Sequence, residues 1–77
     1  MEFIVDLNKV EDVKEFVRLA DIYDADIIVR SMDRTYAVDA SSLMGVFSLD
    51  LGKPVVVSVS EKEIGESFIE AVGKYVM

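Results

Sequence analysis

The segment Val38–Leu49 reads VDASSLMGVFSL, and its residue types change sharply within a few positions. A β-favouring run, TYAVD over residues 35–39, leads into two serines, and Leu43, Met44 and Phe47 follow at once. Serine at a helix start satisfies an orphan backbone N–H, so Ser41 or Ser42 caps a short helix running to about Asp50. That stretch is too short for a full amphipathic helix. Leu43 and Phe47 stand four residues apart and so share one of its faces.

Working outward, LGKP ends the helix with Gly52 and Pro54, the chain's only proline. VVVSVS then reads as a strand over residues 54–60, with Val55, Val57 and Val59 on one side. Ser60 followed by Glu63 has the spacing of a capping box and opens the closing helix. Its buried stripe is Ile64, Phe68, Ala71, Val72 and Tyr75, while Gly65 and Gly73 weaken it by up to ~1 kcal/mol each.

On the other side, ADIIVRS is β-branched and reads as a strand over residues 25–31, joined to residues 35–39 through the turn SMDRT. At the start of the chain, Phe3, Val5 and Leu7 alternate with Ile4 and Asp6, which predicts a strand over residues 2–7. Asn8 offers a cap with Glu11 three residues on, and a helix follows over residues 9–22. Val10, Val13, Phe16, Val17 and Ala20 form its apolar face, and Lys14, Glu15, Arg18 and Asp21 face water. The order β-α-β-β-α-β-α makes an α+β domain over residues 1–77. Its four-stranded sheet is covered by helices on one face only, an open-faced sandwich. Ile4, Ile28, Arg30 and Val56 should line the uncovered face, and their apolar character makes a homodimer through that face possible.

Composition removes whole classes of chemistry. A 77-residue chain buries only about 60% of its unfolded surface, but 52% hydrophobic residues supply a core without staples. With no cysteine there is no disulfide, thiolate metal site or thiol nucleophile. With no histidine the commonest general base, metal ligand and phosphoryl-accepting ring are missing as well. The net charge of −7 opposes nucleic acid, which a basic stripe would have to bind, and anionic lipid. No apolar run approaches the ~20 residues of a membrane span, and MEFIVDLNK resembles no signal peptide. The expected setting is the cytoplasm, with a protein partner and no cofactor.

Val38–Leu49 resembles, without a gap, the segment V-N-A-K-S-I-M-G-V-M-S-L of the HPr family, the phosphocarriers of the bacterial sugar phosphotransferase system. Tyr23–Val29, YDADIIV, is similar to that family's Y-x-A-D/E-I-x-V entry into its second strand. The element order is the family's too. The resemblance covers most of residues 20–60 and implies the HPr-like fold. The turn around Ser31–Arg34 looks longer than the family's, and the loop before the last helix shorter.

The third departure concerns function. The family's G-I/L-H-A-R-P-A, whose histidine carries the phosphoryl group, falls on Leu7–Val13, LNKVEDV. Lys9 then stands at the histidine position, Glu11 at the arginine and Asp12 at the proline. An exposed lysine, with an unperturbed pKa near 10.4, is protonated and not nucleophilic. Two carboxylates at a helix start also repel a dianion. Phosphocarrier activity is therefore not expected, and neither is any enzymatic activity. The resemblance assigns Ser42 the family's second phosphorylation position, the target of HPr kinase, although a helix cap explains Ser42 equally well. Ser41 replaces the basic residue that precedes it. Leu43, Met44 and Phe47 match the positions through which family members dock enzyme I, sugar-specific components and regulators. Asp21, Asp24 and Asp26 read as solvated acids, with no metal site implied.

Overall fold

The computed structural model describes residues 1–23 and 25–77. Four antiparallel strands form one sheet: β1 (Glu2–Val5), β2 (Ile27–Ser31), β3 (Ala37–Asp39) and β4 (Val55–Val59), in the order β1-β4-β2-β3. Three helices, α1 (Val10–Ile22), α2 (Leu43–Phe47) and α3 (Lys62–Ala71), and a closing 3-10 turn over Gly73–Tyr75 complete the βαββαβα order. The expected open-faced α+β architecture is the one observed.

β4 is central because its sequence suits burial on both sides. Val57 lies opposite Phe3 of β1 and Val29 of β2. Val55, Val57 and Val59 face the helices and join Val5, Ile27 and Val29 in the core. Above them pack Val13, Phe16, Val17 and Ala20 of α1 and Phe68 of α3, at the predicted helical spacing. Phe68 is the hub of this layer. Its ring makes edge contacts with Phe16 (5.5 Å between centroids) and Tyr23 (5.3 Å), and Phe3 approaches to 6.3 Å. Aromatic pairs in this geometry stabilise by about 0.5–1.5 kcal/mol beyond their burial.

Both long helices begin one residue later than their capping boxes imply. Lys9, not Asn8, is the N-cap of α1, because its carbonyl accepts the first helical bond, from the N–H of Val13. Glu61, not Ser60, takes that place in α3, accepting from Gly65. Neither residue makes a side-chain cap bond, so the two predicted boxes do not form. Val10 is exposed at the tip of α1 rather than buried. The end of α3 differs too. Ala71 is exposed, while Val72, the C-cap, and Tyr75, at the end of the 3-10 turn that starts at Gly73, are buried in the core as expected. The strands are shorter than predicted, β3 being confined to 37–39, and α2 ends at Phe47 rather than near Asp50.

Ile4, Ile28, Arg30 and Val56 do lie on the uncovered face, as their register requires. Val56 is nevertheless only 6% exposed. Ile4, Met32 and Arg34 wall it in, and the Arg34 guanidinium donates to both carboxylate oxygens of Glu2 (2.7 and 3.1 Å). These bonds, with one from Ser58, pull the Glu2 carboxyl down to about 2 from 4.5.

Replacing Phe68 with alanine should destabilise the fold by about 3–5 kcal/mol, read as a lower urea midpoint with an unchanged slope. Because the folded pKa of Glu2 is depressed, its contribution to stability is present above pH 4.5 and is lost as pH falls toward 2. In Arg34→Ala the Glu2 carboxyl should titrate higher, moving toward 4.5 while the Ser58 bond still holds it down, and stability should vary less across that window, as followed by NMR and by urea unfolding.

Candidate docking site

Ser42 terminates the extended segment after β3 and starts α2. Its hydroxyl accepts from the N–H of Gly45 at 3.1 Å, and its carbonyl accepts from Val46. This is a working N-cap, so of the two candidate serines the second caps the helix. Ser41 is exposed and turns back instead, giving both its N–H (2.9 Å) and its hydroxyl (2.8 Å) to Asp39, which holds the Asp39 carboxyl below the usual carboxylate range. Gly45 leaves little room for a side chain here. A Cβ there would stand 3.0 Å from the Ser42 hydroxyl and 3.2 Å from the Val38 Cβ.

The five-residue helix is pinned from beneath. Ala40, Val46 and Leu49 sink into the core, and the helix packs against α1. The side chains that remain outside are the three expected ones. Met44 is 80% exposed, Leu43 37% and Phe47 38%. An apolar trio on a helix held this firmly can meet a partner with little loss of backbone freedom. Nearby, a groove of about 430 Å³ runs between the β2–β3 turn and the segment after α2, over Met32, Tyr36, Leu49 and Pro54. Met32 and Tyr36 are exposed there, and no sequence pattern sets them apart.

The start of α1 lies where the resemblance places phosphoryl chemistry. Lys9 and Glu11 are both exposed there, and Asp12 is partly buried. A shallow depression beside them includes Asp6, Asn8, Lys74 and Tyr75. Lys74 is already committed to Glu15 at 3.2 Å, a contact that raises its pKa. The Tyr75 hydroxyl is buried, and burial pushes its pKa upward. The Lys74 amine and the Tyr75 phenol are therefore both held toward their protonated forms, which are poor nucleophiles.

Among the described residues no three acidic side chains converge as metal ligands. Of the acids near the end of α1, Asp24 lies outside the described residues. No described helix is long and apolar enough to cross a membrane.

Among solved structures, the chain is similar to the crystal structure of a phosphocarrier protein HPr from Bacillus anthracis strain Ames. The match has a TM-score of 0.73 at 23% identity and covers 100% of this chain and 96% of that one. The chain has the HPr-like fold. No family model matches it, and no curated protein matches it by sequence.

Ser42→Ala should lower stability by about 1 kcal/mol through loss of the cap, whereas Met44→Ala should change it by no more than about 0.5 kcal/mol. Parallel thermal melts of the two variants measure the difference.

Proposed function

We propose that this chain is a relative of the phosphotransferase-system carriers that no longer carries phosphate and acts by docking. It would serve as a regulatory or adaptor protein, presenting Leu43, Met44 and Phe47 to a phosphotransferase component or regulator. The observation that carries this reading is the exposure of that trio on a helix pinned by Ala40, Val46 and Leu49. The residue match of Val38–Leu49 and the HPr-like fold support the link to the phosphotransferase system.

Loss of carriage follows from composition. Phosphoryl transfer through an imidazole needs a histidine, and the chain has none. Lys9 cannot take the role while protonated, and Glu11 and Asp12 place negative charge in the first turn of α1, where the phosphoryl group would approach. For Ser42 we propose the cap as the working role. Its hydroxyl is engaged with Gly45, and a kinase must break that bond to reach it. By the resemblance, Glu11 stands where the family has the arginine that can contact a phosphoserine, and its carboxylate would repel one instead.

Enzyme I tests the docking directly. Titrated into isotope-labelled protein, it should perturb the Leu43, Met44 and Phe47 signals, and Phe47→Ala should weaken binding by at least about tenfold, or 1.4 kcal/mol. Absence of any perturbation with enzyme I or a sugar-specific component would favour a module unrelated to the phosphotransferase system, homodimeric if sedimentation shows two copies. HPr kinase and ATP should leave the chain unlabelled. Stoichiometric labelling that vanishes in Ser42→Ala would restore Ser42 as a phosphoryl switch.

A further inference from the structure

The face of the sheet without helices carries a charge arrangement that the docking reading does not use. Register places Glu2 beside Ser58, and Arg30 beside Val56 in the adjoining row. Arg34 arrives from the β2–β3 turn and grips the Glu2 carboxylate with two bonds, of 2.7 and 3.1 Å. Ser58 donates to the same carboxylate at 3.1 Å and accepts from Arg30 at 3.0 Å. One guanidinium, that of Arg34, thus grips the carboxylate directly, and that of Arg30 reaches it only through the Ser58 hydroxyl. Among the described residues, Arg30 has this single side-chain hydrogen bond and no ion pair, although it is partly buried.

The position of Arg34 is set by its turn and not by a loose tail. Its backbone is left-handed, with φ of 62°, a conformation that disfavours side-chain-bearing residues. The turn holds it there through Arg34 N–H to the Ser31 carbonyl (2.9 Å), and through Asp33, which accepts from the Ser31 hydroxyl (2.7 Å) and the Thr35 N–H (2.9 Å). Beside the gripped carboxylate lies a pocket of about 310 Å³, walled by Phe3, Ile4, Met32 and Val56. An apolar pocket with a few convergent polar groups at one end is the usual form of a small-molecule site.

We propose that Arg34 and the apolar pocket beside it form a binding site for a small monocarboxylate with a short apolar tail, and that Glu2 is its built-in competitor. The ligand's carboxylate takes the place of Glu2 on Arg34, where the paired N–H donors fit a planar carboxylate. Its tail lies between Ile4, Met32 and Val56. Arg30, free of other ion pairs, offsets the second negative charge that the displaced Glu2 leaves on the face. The net charge of −7 opposes the approach of polyanions, and the apolar walls offer nothing to a hydrophilic anion, so one charge with a hydrocarbon body is the class that fits. While Glu2 occupies the grip the site is closed, so the apparent Kd of the intact chain is the intrinsic Kd divided by the fraction of molecules in which the grip is open.

Hexanoate is a suitable probe, with hexanol as its neutral counterpart, followed by amide shifts of the full chain at neutral pH. Hexanoate should shift Ile4, Met32 and Val56, and Glu2→Ala should bind it about tenfold more tightly by relief of self-occupancy. Glu2→Gln, isosteric and neutral, should change affinity in the same direction should the alanine variant fold poorly. Arg34→Ala and hexanol should each show no saturable shift at these residues. The proposal is overturned if hexanoate binds Arg34→Ala as well as the intact chain, if neither Glu2 variant binds more tightly, or if hexanol binds equally well.

Discussion

Everything in this structure depends on the register of β4 between β1 and β2. With Val57 opposite both Phe3 and Val29, three valines of β4 face the helices, and Val56 and Ser58 face away. A slip of one residue would exchange these sets, putting a serine hydroxyl into the core and three valines onto the uncovered face. The same register decides the polar face. It places Ser58 beside Glu2 and Val56 beside Arg30, so the packing of the core and the carboxylate grip are two consequences of one alignment. Phe68 then locks the arrangement from above by touching Phe3, Phe16 and Tyr23, which belong to β1, α1 and its C-terminal cap.

The strands and helices were legible because their signals are local. Alternation in EFIV and VVVSV, and 3.6-residue spacing from Val13 to Ala20, report which side of each element is buried. Helix starts were less legible. Asn8 with Glu11 and Ser60 with Glu63 have the spacing of capping boxes, yet each helix begins one residue later, at the carbonyls of Lys9 and Glu61. A capping residue competes with the packing of the stripe behind it, and burial of Val13 and Phe68 outweighs a cap worth about 1 kcal/mol. In the tail of α3, Val72 and Tyr75 are buried as the predicted stripe requires, but the helix ends at Ala71, which stays exposed, and a 3-10 turn over Gly73–Tyr75 carries Tyr75.

For the candidate site, Leu43, Met44 and Phe47 were readable because three large apolar residues in a five-residue helix exceed what one buried face can take. Val46 occupies that face, and the others remain outside. Ser42 was readable as a cap from its type and place. The grip of Arg34 on Glu2 was not readable. The two residues are 32 positions apart, and only the tertiary path of the β2–β3 turn brings them together. Met32 and Tyr36 share that cause: SMDRTY looks like an ordinary polar turn, and its apolar members gain meaning only once the turn is placed over the sheet edge. The uncovered face thereby became more structured than its apolar residues alone suggested.

The proposed function has an HPr-like fold with an exposed apolar helix face and no histidine occupy a partner without receiving phosphate from it. That is the central claim, and a reconstituted transfer assay tests it most directly. Enzyme I, phosphoenolpyruvate and an authentic HPr are combined with increasing amounts of this chain, and phosphorylation of each protein is followed separately. The account predicts that phosphorylation of the authentic HPr slows competitively, that Phe47→Ala relieves the inhibition, and that this chain stays unlabelled. Acid-labile phosphate on this chain, or transfer to HPr that proceeds at an unchanged rate, would contradict it.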